Sequence, residues 1–184
     1  MRLHLSIFFL SFFPFLTTKG QLADNIRQLQ QMILSADSIV LISHVLTVEF
    51  APKIVEDWDK TKKRPLVKKY APYPKYLKNG NVNPAIIKQR KAISKPEMNE
   101  LSEIFRVEKA IEINQSKCDM PHHSIIIFKN SSQSFIDICF SCKSMHTSKR
   151  INLEEADFTD NKWEKLKAFF KRHGLTYQLL NPNY

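Results

Sequence analysis

Two apolar runs, Ser124 to Phe128 and Phe135 to Phe140, flank a short polar turn through Asn130, Ser131 and Ser132. Apolar, β-branched segments on either side of such a turn form a β-hairpin, and the rest of the chain must be arranged around it. Period-two alternation puts Ile125, Ile127, Ile136, Ile138 and Phe140 on one face and His122, Asp137 and Cys139 on the other. A turn centred between Ser131 and Ser132 sets Phe128 against Phe135, Ile127 against Ile136 and Ile125 against Ile138. Continuing that ladder brings Ser124 opposite Cys139 and Pro121 opposite Cys142, at the open end of the hairpin. Asp137 reads as a carboxylate at a solvent-facing strand position.

The apolar face needs a cover, and three segments carry helical spacing. Leu22, Ile26, Leu29, Met32 and Ile33 predict a helix over about 21–36. Ser94, Pro96 and Glu97 form the start signal of a second, with Met98, Leu101, Ile104 and Phe105 as its apolar stripe. Asp160 is the expected cap of a third, in which Trp163, Leu166, Phe169 and Phe170 recur before Lys171, Arg172, His173 and the stop at Gly174. Ser38 to Thr47 reads as a buried strand with His44 as a core histidine, Ala85 to Ile93 as a strand or extended segment, and Leu175 to Leu180 as a terminal strand or docked tail. The expectation is one α+β domain, an antiparallel sheet built around the central hairpin and covered by about three helices.

The first twenty residues have the form of an export signal: Arg2, an apolar stretch from Leu5 to Leu16 with five phenylalanines, then Thr17, Thr18, Lys19 and Gly20. Pro14 interrupts the stretch, which is shorter than the roughly 20 residues that span a bilayer. Cleavage after Gly20 leaves a single domain, 21–184, secreted or periplasmic and without a transmembrane span. Losing Arg2 and Lys19 lowers the basic count from 28 to 26 against 18 acidic side chains, so the mature protein stays basic. For an exported chain the matching partners are anionic envelope surfaces or glycans, and export works against nucleic acid.

Positive charge concentrates between Lys60 and Lys78, inside a Lys- and Pro-rich surface excursion at about 52–83 that Pro65, Pro72 and Pro74 keep from forming a helix. Lys62, Lys63, Arg64, Lys68 and Lys69 are the candidate polyanion-binding residues. Tyr70, Tyr73 and Tyr76 interleave with the cations, and tyrosines in such a position also pin loops to a core. Only three glycines are present, and no Gly-rich phosphate loop.

All three cysteines, Cys118, Cys139 and Cys142, fall in one stretch with His122, His123 and His146. Three readings compete. An oxidising compartment can join Cys118 to Cys139 or Cys142 and leave one thiol over. A bond between Cys139 and Cys142 requires the chain to turn there, because residues three apart in a strand lie about 10 Å apart. Alternatively the three thiolates with His122 or His123 enclose zinc, His146 substituting or adding a fifth group. The third reading is a thiol-disulfide oxidoreductase, or a cysteine nucleophile paired with a histidine, although the polar residues after Cys142 show no helical repeat of the kind that lowers a thiol pKa. Asp137 beside His122 could orient an imidazole as in hydrolytic triads.

Cys118-Asp-Met-Pro-His-His, Ile125-Ile-Ile-Phe, Phe135-Ile-Asp-Ile-Cys-Phe-Ser-Cys and the segment from Trp163 to Gly174 together resemble a group of uncharacterised exported bacterial proteins. The resemblance covers about the last seventy residues. It implies bacterial export and the pairing of Cys118 with the CxxC, and it implies no reaction. On the residues themselves the expected function is non-catalytic, with the cofactor either none or zinc; the alternatives are an envelope thiol-disulfide oxidoreductase or metal-handling enzyme, and a polyanion-binding module through 60–78.

Overall fold

The computed structural model describes residues 18–47, 74–106, 120–151, 153 and 158–179, with side chains from Asp24 onward. In chain order the elements are α1 (Thr18–Leu34), β1 (Ser38–His44), β2 (Leu77–Lys78), β3 (Asn81–Val82), a 3-10 turn (Pro84–Ile86), β4 (Ile87–Ile93), α2 (Lys95–Ile104), β5 (His123–Lys129), β6 (Ser132–Cys139), β7 (Ser144–Thr147) and α3 (Asp160–Arg172). Five strands form an antiparallel sheet in the order β4-β1-β5-β6-β7, and β2-β3 is a separate two-stranded sheet. The class is α+β, with the helices on the sheet, as the sequence predicts.

One sheet face carries Ile39, Leu41, Ile125, Ile127, Ile136 and Ile138 against all three helices. Each helix contributes the stripe its spacing dictates: Ile26, Leu29 and Ile33 from α1, Met98, Leu101 and Ile104 from α2, Trp163, Leu166, Phe169 and Phe170 from α3. Each such side chain removed from water is worth about 1.5–3 kcal/mol before entropy is charged against it. The opposite face is not left to solvent. Val40, Ile42 and Ile126 pack there against Tyr76, Val82 and Ile86 from the segment that precedes β4. That second cover explains why β1 reads as an unbroken apolar run: both of its faces are buried.

The hairpin turn falls at Asn130–Ser131, both with positive φ (49° and 60°), the conformation of a two-residue primed turn. The register therefore differs from the expected one by two residues: Ile125 pairs with Ile136, Ser124 with Asp137 and Phe128 with Gln133. An even shift preserves the faces, so the isoleucines still share the core side. A second primed turn at Asn79–Gly80 (φ 54° and 77°) makes β2 and β3 a small hairpin inside the segment read as a surface excursion.

At the start of α2, Glu97 Oε2 accepts from Ser94 N at 2.5 Å and Ser94 Oγ at 2.7 Å. For α3 the cap is Thr159, which accepts from Lys162 N at 3.3 Å, rather than Asp160, which begins the helix and pairs with Lys143 at 2.6 Å. Its other end closes as expected: Gly174 has φ +79°, and Gly174 N and Leu175 N donate to the carbonyls of Lys171 and Phe170. The residues beyond it form a docked turn rather than a strand. Gln89 Oε1 on edge strand β4 accepts from Thr176 N and Tyr177 N, both at 2.8 Å, while Leu175 and Leu179 are buried. The expected signal segment lies outside the described residues up to residue 17, and α1 runs through the expected cleavage point from Thr18. Among the described residues no helix is long and apolar enough to cross a membrane.

Candidate functional site

The end of β1, the start of β5 and the end of β6 meet at one edge of the sheet core, and the antiparallel register brings their polar residues together. His123 pairs with Ser43 on one side and with Ile138 on the other. His44 N donates to the carbonyl of His122 at 2.8 Å, and His122 N donates to that of Ile138 at 3.3 Å. The corner thus holds His44, His122, His123, Ser124, Asp137 and Cys139, all buried.

Asp137 is not the solvent-facing carboxylate its strand position suggests, for it is completely buried. The reason is the second cover: Tyr76 lies over this face, its ring edge-on to Phe135 at 5.2 Å and to His44 at 5.5 Å. Ser124 Oγ donates to Asp137 Oδ1 at 2.6 Å and accepts from Tyr76 Oη at 3.1 Å. Burial first, then the charge of Asp137, push the Tyr76 phenol far above its ordinary range, so it remains a hydrogen-bond donor. A buried carboxylate answered by two hydroxyls from different segments is a structural tie.

The imidazoles are arranged to stay neutral. Burial lowers His44 to about 4, His123 to about 3, and His122 in the same direction. The proximity of the three rings to one another adds to the depression of His44 and His123. His44 Nδ1 bonds the carbonyl of Val45 at 2.8 Å and His122 Nδ1 that of His44 at 3.1 Å. His44 Nε2 and His123 Nε2 meet no hydrogen-bond partner among the described residues. His123 is packed edge-on between Phe140 and Phe170, and His122 against Tyr177 of the docked turn. The ring nitrogen His122 would turn to a triad carboxylate, Nδ1, meets a backbone carbonyl, and Asp137 Oδ1 accepts from Ser124. His146 stands across from Asp137 on β7 and is half-buried.

The CxxC straddles the β6–β7 turn. Residues 140–143 reverse the chain, Lys143 at positive φ (51°), and Ser144 to Thr147, which carry no helical repeat, form β7. The two cysteines are therefore at a hairpin end, and neither opens a helix as the thiols of thioredoxin-like CxxC pairs do. Cys142 is disulfide-bonded and fully buried, whereas Cys139 is a free, buried thiol. Both sulfurs contact the hydroxyl of Ser141, at 3.8 Å and 3.4 Å. Cys118 lies outside the described residues, as do Lys62, Lys63, Arg64, Lys68 and Lys69. Among the described residues no group of three or more His, Cys, Asp or Glu side chains could hold a metal ion.

Sequence reasoning missed the part played by Tyr76 and Ser124. The signal was present in Asn79-Gly80, the strongest short hairpin marker, which folds the flanking chain back onto the sheet and so seats Tyr76. No family model, no curated protein and no solved structure matches the chain.

Proposed function

We propose that the protein is an exported, non-catalytic domain whose Cys/His corner serves stability, with a disulfide from Cys118 to Cys142 as its staple. The observation that carries this reading is the state of the two described cysteines: Cys142 is bonded and Cys139 free, and the chain has one further cysteine. A sulfur in a disulfide is no thiolate, so Cys142 is lost as a zinc ligand. The burial of His44, His123, Ser124 and Asp137 supports the same reading, since a reacting substrate would need access to them.

The contact of both sulfurs with Ser141 favours a second reading, an envelope thiol-disulfide oxidoreductase, in which the Cys139 thiolate attacks Cys142 Sγ, forming a Cys139–Cys142 bond as the proposed bond to Cys118 breaks and the Cys118 thiolate leaves. Export of the full chain from a bacterial host, followed by N-terminal sequencing and an insulin-reduction assay, separates the two. The proposal expects a mature chain starting at Gln21 and no turnover of insulin disulfides. Turnover that disappears in Cys139→Ala establishes the oxidoreductase instead.

A further inference from the structure

Among the described residues the cover on the outer sheet face leaves a gap, a cleft of about 530 Å³, within the range of small-molecule sites. Its floor spans three adjacent strands. Ile87 comes from β4, Val40 from β1, Ile126 and Phe128 from β5, and the hairpin side supplies Val82 and Pro84 as a wall. Ile87 and Phe128 remain only half-buried there, although each is packed against the apolar cluster of that face.

The polar part of the lining is small and of one sign. Arg90 pairs across the sheet with Ile42, which places its side chain on the cleft face of edge strand β4, and Asn81 and Gln133 supply neutral hydrogen-bonding groups. No acidic side chain lines the cleft, and Arg90 takes part in no ion pair among the described residues. An exposed guanidinium beside an apolar floor recognises a carboxylate carried on an apolar chain: the chain covers the isoleucines and phenylalanine while the head meets the planar donor fork.

We infer that this cleft binds a small amphiphile, an unbranched acyl chain ending in a carboxylate, with Arg90 holding the head group. The inference stands apart from the role given to the Cys/His corner, since the two share no lining residue.

The test is calorimetric titration of the full mature protein with decanoate and with decanol, both below their aggregation limits, at low and moderate salt. Saturable one-to-one decanoate binding at least tenfold tighter than decanol binding, with the preference narrowing as salt rises, is expected. Arg90→Met, an exposed change that keeps the apolar stem, should remove that preference and leave decanol binding as it was. Ile87→Trp, which fills the floor, should abolish binding of both while circular dichroism stays unchanged. Absence of saturable binding, equal affinity for acid and alcohol, or binding indifferent to Arg90→Met overturns the inference. So does binding that survives Ile87→Trp.

Discussion

The hydroxyl of Tyr76 reaches Ser124 Oγ at 3.1 Å, across 48 residues of sequence, and through it the buried carboxylate of Asp137. This contact fastens the segment leading into the small β2–β3 hairpin to the central strand pair.

Tyr76→Phe removes the donor and leaves the ring packing in place. The expected loss is about 1–3 kcal/mol, the usual effect of leaving a buried acceptor unanswered. Ser124→Ala should cost more, since it strips a hydrogen bond from Asp137 as well as from Tyr76. The double variant should lose less than the sum of the two, with a coupling of about 0.5–3 kcal/mol in urea denaturation. Strict additivity would show that the three groups do not act together.

Acid should weaken the fold in two overlapping windows. His44 and His123 have folded-state pKa values depressed to about 4 and about 3, so below the ordinary histidine pKa the unfolded chain takes up protons that the native chain refuses. Stability is then full above pH 6.5 and falls as pH drops toward 4, by at most about 1.4 kcal/mol per pH unit for each histidine. His123→Phe, in a pocket already walled by Phe140 and Phe170, should flatten that slope between pH 6.5 and 4. An unchanged slope would place the titrating group elsewhere.

The second window belongs to Glu97, held down to about 2 by its hydrogen bonds to Ser94 and by His173, whose Nε2 lies 2.9 Å from Glu97 Oε1. A depressed carboxyl contributes stability above its unfolded pKa that disappears as pH falls through the folded one. Glu97→Ala should therefore lower Tm at pH 5 and leave it almost unchanged near pH 2. An equal deficit at both pH values would mean that the carboxylate charge is not what links α2 to α3.

The two described cysteines should respond differently to substitution. Cys142→Ala removes the bridge and is expected to cost about 2–5 kcal/mol, after which dithiothreitol should have no further effect on the midpoint. Cys139→Ala trims one buried sulfur and should keep the wild-type sensitivity to dithiothreitol. Equal behaviour of the two variants in reducing and non-reducing urea titrations would contradict this assignment.

Elements with strong periodicity were legible from the residues: the stripes of α2 and α3 and the isoleucine face of the hairpin survive in the structure because each encodes its own buried side. The faces survived even though the register moved, since the Asn130–Ser131 turn shifts pairing by an even number of residues. What alternation could not reveal was the second layer over the sheet. Asp137 looks solvent-facing from its strand, and its burial is decided by Tyr76, which arrives from a Lys- and Pro-rich segment with little pattern of its own. The clustering of cysteines and histidines was likewise visible in the sequence. How the groups divide was not, because it depends on the chain reversal at residues 140–143 and on which imidazole nitrogen meets a carbonyl.

The most direct test is non-reducing peptide mapping of the purified mature protein, alkylated first folded and then in guanidinium, together with zinc analysis. The account predicts a Cys118–Cys142 linked peptide, a Cys139 thiol that is alkylated only after unfolding, and no stoichiometric zinc. One equivalent of zinc with three free thiols, or Cys139 recovered in the cross-link, would contradict it.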